Sequence, residues 1–155
     1  MTNTRFAKAS EWTCDGHELI YREAEHSFDV VPRTRVGGWS ILVNDLNLEL
    51  DSEGEVQFVW GLCARTTWLP TRRVPPGAER RRLRVSSGTP ESPGISRRLS
   101  GEERWPIHVS MDEKWVVLGH DQEQDCTGVE FAPGMIAALD SEGQLRALWL
   151  RLHTV

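Results

Sequence analysis

The five residues Leu-Asp-Ser-Glu-Gly occur twice, at 50–54 and 139–143, and a tryptophan follows each glycine by six positions, Trp60 and Trp149. The offset between the copies is a constant 89 residues: Leu46, Leu48 and Leu50 correspond to Met135, Ala137 and Leu139, and Val56, Phe58 and Trp60 to Leu145, Ala147 and Trp149. On both sides of the motif apolar residues recur at every second position, the period of a β-strand. Aspartate and serine can accept hydrogen bonds from nearby amides, and glycine adopts the left-handed conformation that closes a four-residue loop without a Cβ clash. The repeat therefore predicts two pseudo-equivalent hairpins, over 46–62 and 135–152. In the second, Leu148, Leu150 and Leu152 make the other face of the last strand apolar as well, so that strand is expected to be covered on both sides.

The rest of the chain extends the pattern. Short strand candidates fall at 17–22, 27–31, 39–43, 107–110, 114–119 and 127–131, with turn signals such as Asp15-Gly16 and Gly37-Gly38 between them. The apolar phase flips at Asn44-Asp45, which requires a bulge, a bend or a short turn there. Residues 2–12 read as a short helix or a loose arm, and no segment carries a long helical stripe. The expected fold class is mainly β, a barrel or a two-sheet sandwich of about ten short strands with little helix, in a single domain over 1–155. Pro75-Pro76-Gly77 and the Ser, Gly and Pro of 86–94 interrupt the pattern. They predict a long loop region over about 70–104, partly disordered around 87–103, with one exposed strand near 82–86.

Charge is distributed unevenly. The net charge is −5, yet residues 65–104 carry ten arginines against four acids, about +6, which leaves about −11 for the remainder. Arginines flanked by indoles could grip phosphates while the rings stack on bases. The acidic remainder repels a nucleic-acid backbone, so pairing of these arginines with the protein's own acids is the preferred reading. Arginine and aromatic residues are also the types enriched at protein–protein hot spots. On that ground Trp68, Arg72, Arg73, Arg80, Arg82, Arg84 and Trp105 are the candidates for binding a ligand or partner. Of the seven tryptophans, Trp39, Trp60, Trp115 and Trp149 sit in strand patterns and read as core, while Trp12, Trp68 and Trp105 sit beside turns or prolines and read as surface or pocket lining.

Motifs for chemistry are sparse. Three widely spaced cysteines favour reduced thiols over a disulfide framework. Cys14 and His17, with His120 and Cys126, make a candidate zinc set of two thiols and two imidazoles, although neither pair has zinc-finger spacing. No Gly-x-Ser-x-Gly elbow and no phosphate-binding glycine loop occurs. His120, Asp125 and Glu130 remain as acid–base candidates, Glu130 because a carboxylate between Val129 and Phe131 in a barrel interior would have a raised pKa. No cofactor is expected.

No run of about 18 apolar residues exists and residues 1–10 lack the apolar core of a signal peptide, so the expected location is the cytosol and no membrane association is expected. The pattern of 133–152, with Leu-Asp-x-x-Gly leading into an alternating strand, resembles that of many small bacterial β-rich proteins and selects no family. The expected function is binding of a protein partner, an immunity-type toxin inhibitor being one concrete form, with a homodimer also compatible. The alternative is a β-barrel enzyme or carrier enclosing a small hydrophobic ligand.

Overall fold

The computed structural model describes residues 4–12, 16–34, 36–88, 90–99, 104–120 and 125–155. Among them the chain forms β1 (Phe6–Glu11), β2 (Glu18–Arg22), β3 (Ser27–Val31), β4 (Trp39–Val43), β5 (Leu46–Leu50), β6 (Glu55–Leu62) and β7 (Leu69–Thr71). The second part contributes β8 (Ala78–Val85), β9 (Ser96–Arg98), β10 (Ile107–Ser110), β11 (Trp115–Gly119), β12 (Thr127–Ala132), β13 (Met135–Leu139) and β14 (Leu145–Arg151). Among the described residues helix is confined to two single 3₁₀ turns, Glu23–Glu25 and Arg65–Thr67. The protein is mainly β, a curled sheet of many strands.

The strands form one hydrogen-bonded network in the order β7-β10-β11-β14-β13-β12-β8-β6-β5-β4-β9, with β1 paired to β8 and the β2–β3 hairpin attached through β3 to β6. Two equivalent units are visible in this order. In the first, the β2–β3 hairpin precedes the meander β4-β5-β6, and β3 pairs with β6. In the second, the β10–β11 hairpin precedes the meander β12-β13-β14, and β11 pairs with β14. Each meander also receives a parallel strand on its first member, β9 on β4 and β8 on β12. β8 joins the units, because its other end pairs antiparallel with β6 and with β1.

The repeated hairpins match down to their irregularities. Both ladders slip at the same place, between Glu49 and Leu50 in one and between Ala138 and Leu139 in the other. In each turn the aspartate Oδ1 accepts the amides two and four positions on: Glu53 and Glu55 bond Asp51 at 2.9 and 3.0 Å, and Glu142 and Gln144 bond Asp140 at the same distances. Gly54 and Gly143 close the loops at φ 84° and 81°. The phase flip at Asn44-Asp45 is a two-residue turn between paired Val43 and Leu46, with Asn44 at φ 53°.

A single large cluster fills the space between the units. Leu46, Leu48, Leu50, Val59, Leu83, Val129, Phe131, Ala137, Leu148 and Leu150 all belong to it and are essentially inaccessible to solvent. β14 is buried on both faces, as its sequence predicts: Leu148 and Leu150 enter this cluster, while Ala147 and Trp149 join Val117, Ile136 and Ala138 in a smaller one behind it.

Three sequence expectations need correction. Residues 6–11 form a strand, not a helix or free arm, because Phe6 is buried and the stretch pairs with β8. The 70–104 region is not one long loop: β8 is eight residues long, held by partners on both sides that local sequence does not reveal, and β9 lies in the portion expected to be disordered. Thr89 and residues 100–103 of that portion lie outside the described residues. Trp12 and Trp68 are core residues, only 7% and 8% exposed, whereas Trp60 and Trp115 are half-buried.

Candidate functional site

The two units differ most on their outer faces. Directly paired residues on neighbouring antiparallel strands share a face. In the first unit the pairs Asn47–Trp60 and Glu49–Phe58 define the face opposite Leu46, Leu48 and Leu50, where Phe58 is itself buried in the main cluster, and in the second Ile136–Trp149 and Ala138–Ala147 define the face of the smaller cluster. These four positions correspond one to one at the 89-residue offset.

In the second unit this face is largely apolar, with Glu130 at its β12 margin, and is crossed by the chain itself. Residues 72–77 run from β7 on one flank to β8 on the other, with the Arg73 guanidinium over the Trp149 ring at 5.8 Å. Gly128, paired with Ala138 on the same face, is where the strap comes closest: a Cβ there would lie 2.7 Å from the Gly77 carbonyl and 3.1 Å from the Pro76 ring. Arg73 also lies 3.4 Å from His108 Nδ1. Burial, then the neighbouring Arg73 guanidinium and His120, hold the His108 pKa below its ordinary value.

In the first unit the same face holds an open hollow of about 460 Å³. Phe58, Trp60 and Glu49 line it from the hairpin, Arg33, Thr34, Val36, Gly37 and Gly38 from the β3–β4 connection, and Pro93-Gly94 from the approach to β9. Arg33 lies 4.2 Å over the Trp60 ring, and its Nε is 3.6 Å from Asp29 Oδ1. The indole Nε1 of Trp60 donates to Glu49 Oε1 at 3.0 Å. Gly38 is forced by space, since a side chain there would run into the backbone carbonyl of Leu50, and its own carbonyl accepts the Gly94 amide at 2.8 Å. That bond ties the two loops at one end of the hollow. His17 packs against Phe58, ring centroids 5.5 Å apart, with Nε2 3.2 Å from Thr34 Oγ1. An aromatic shelf, a guanidinium and a carboxylate around a hollow within the size range of ligand sites suit recognition, and no nucleophile–base pair is among the lining groups.

The candidates named from sequence are dispersed. Trp68 is buried against Tyr21 at 5.1 Å and Phe28 at 6.4 Å. Arg72 is exposed at the start of the strap. Arg80 and Arg82 flank the Trp12 ring at 5.3 and 5.8 Å, Arg80 within 3.5 Å of Glu130, and Arg82 and Arg84 within 3.8 and 3.4 Å of Glu55. Trp105 is half-buried, its amide donating to Asn44 Oδ1 and its carbonyl accepting from Asn44 Nδ2. Arg97 and Arg104 pair with Glu91 and Asp45.

Glu130 faces the outer side, not a barrel interior: its Oε2 accepts the Gly134 amide at 3.0 Å and so braces the β12–β13 turn. His120 and Asp125 are exposed, Cys126 is half-buried beside the smaller cluster, and Cys14 lies outside the described residues. Among the described residues no three His, Cys, Asp or Glu side chains are placed to hold a metal ion. Sequence reasoning missed the hollow. Its signal was the replacement of Ala138 and Ala147 by Glu49 and Phe58 at the corresponding positions of the other copy. No known protein family, no curated protein and no solved structure matches this chain.

Proposed function

We propose that this is a binding protein that recognises a protein partner through the hollow of its first unit. The observation that carries the reading is the contrast between an interior filled by side chains and a surface hollow lined by Trp60, Phe58, Arg33 and Glu49. A filled interior favours surface recognition over a carrier that encloses its ligand. The ion pairs of Arg80, Arg82, Arg84, Arg97 and Arg104 with the protein's own acids favour a structural use of the arginine-rich tract over phosphate binding. An immunity-type inhibitor of a toxin is one concrete form, supported by the small size and the net charge of −5.

A photo-cross-linking residue at Thr34, exposed on the rim of the hollow, tests the reading in the protein's native cells. A discrete partner trapped from position 34 and not from the exposed turn residue Ser141 is expected. Trapping from neither position, or equally from both, would count against the hollow.

A further inference from the structure

The occupant of the hollow can be read from the second unit. There the face equivalent to the hollow is crossed by the chain's own strap, which touches it at two anchors, Arg73 over Trp149 and Pro76 beside Gly128. Between the anchors lie Val74, which is 77% exposed, and Pro75, which is half-buried. The first unit keeps both anchors but takes them from separate segments. Arg33 covers Trp60 from the β3–β4 connection, and on the approach to β9 Ile95 accepts the Ser40 amide at 2.9 Å while Gly94 donates to the Gly38 carbonyl at 2.8 Å. Ser40, paired with Glu49, corresponds to Gly128, paired with Ala138, and each carries the parallel strand that follows a proline: Ser96 after Pro93, Ala78 after Pro75-Pro76. What the first unit lacks is the connecting piece, and the hollow lies where that piece would run.

On this correspondence we infer that the hollow receives an extended, proline-containing segment of a protein partner, laid against the half-buried Trp60 above the buried Phe58, as the chain's own Pro75-Pro76 crosses the second unit with Val74 turned to solvent. The inference rests on the binding reading above and specifies its ligand. A proline-rich extended segment suits an aromatic shelf: its conformation is largely preset, so less chain entropy is lost on docking. Arg33 and Glu49 balance each other in the lining, and the acidic remainder of the protein favours a segment that also carries a basic residue, as the strap does at Arg72-Arg73. The divergence of the two copies then has a functional meaning, since one face is sealed internally and the other is left for a partner.

The probe is a synthetic peptide with the strap's own sequence, residues 71–77, titrated into the isotope-labelled full-length protein at physiological salt. Saturable NMR shifts of the Trp60 indole and the Gly37 and Gly38 amides are expected, with the Trp149 indole unmoved. Replacing both prolines of the peptide by glycine is expected to weaken binding by about tenfold, and Thr34→Trp, which fills the hollow from an exposed position, to abolish it. Absence of saturation at about 5 mM peptide, equal binding of the glycine peptide, or shifts centred on Trp149 would overturn the inference. The two readings fail separately. A partner cross-linked from position 34 together with a silent peptide removes only the proline-containing segment, and loss of both removes the hollow as a binding site.

Discussion

Phe6 and Val85 face each other as antiparallel partners, and each donates its amide to the glycine that closes one of the repeated turns: Phe6 to the Gly143 carbonyl at 2.8 Å, Val85 to the Gly54 carbonyl at 2.9 Å. The two copies of the sequence motif thus converge on one residue pair at the junction between the units.

The glycines are not equally replaceable. Both have positive φ, but a Cβ on Gly143 would lie 2.6 Å from the Phe6 carbonyl, whereas one on Gly54 would lie 3.9 Å from the Val85 Cβ, in ordinary contact. Gly54→Ala is expected to cost about 1–2 kcal/mol of backbone strain, and Gly143→Ala about 1–2 kcal/mol more because β1 must shift. Urea midpoints of the two variants check the order; equal midpoints would contradict it.

Asp140 should contribute to acid sensitivity. Burial by itself raises its pKa, but the Gln144 amide, Arg146 and the Glu142 amide outweigh burial and hold it below the ordinary carboxylate value. A depressed folded-state pKa adds stability that is complete above the unfolded value and is lost as pH falls through the folded one. Asp140→Asn is therefore expected to lower stability at pH 7, by about 2 kcal/mol for a charge-assisted network, and to converge with the parent protein as pH falls below about 4. Thermal melts of both proteins across that range provide the measurement.

His108 acts in a higher window. Its pKa is lowered, by burial first and then by Arg73 and His120, so as pH falls below about 6.5 the unfolded chain takes up a proton that the folded protein resists. Stability should decline through that window. The decline should be smaller in His108→Gln, read from denaturation midpoints at pH 7.5 and 5.5; an unchanged slope would show that His108 does not supply it.

Cys63 should be silent in the folded protein. Burial pushes its thiol up to about 11, against a partial lowering by Trp68, and leaves it only 4% exposed. Alkylation of Cys63 at pH 8 is expected only after unfolding, located by mass spectrometry. A raised folded-state pKa adds stability that is present below the unfolded value near 9 and disappears as pH rises towards 11, so Cys63→Ser should flatten the alkaline part of the stability profile.

Much of the fold was legible because the repeat and its alternation act locally. The two hairpins, the turn at Asn44-Asp45 and the doubly buried β14 all follow from period-two patterning and turn chemistry. β1, β7, β9 and the first half of β8 did not, since each is held by partners distant in sequence, and arginine-rich or short polar stretches carry no apolar period. Trp12 was misjudged for a related reason: its burial depends on the Arg80 and Arg82 guanidiniums on its ring and on the Glu130 carbonyl that accepts its indole N–H at 2.8 Å. The hollow is harder still to read from sequence. It is defined by Arg33, Thr34, Val36, Gly37 and Gly38 together with Pro93 and Gly94 meeting one hairpin face, and only the exchange of Ala138 and Ala147 for Glu49 and Phe58 hints that the faces differ.

The bridging position of β8 has a consequence for the edges of the sheet. Either unit made alone would leave unpaired the short stretches where β8 now sits, Glu55-Val56 on β6 and Gly128–Glu130 on β12, as exposed strand edge. By running one strand through both units, and closing its free side with β1, the chain satisfies that edge internally. Tethering the two copies in one polypeptide therefore leaves each unit's β8-side row paired within the same chain.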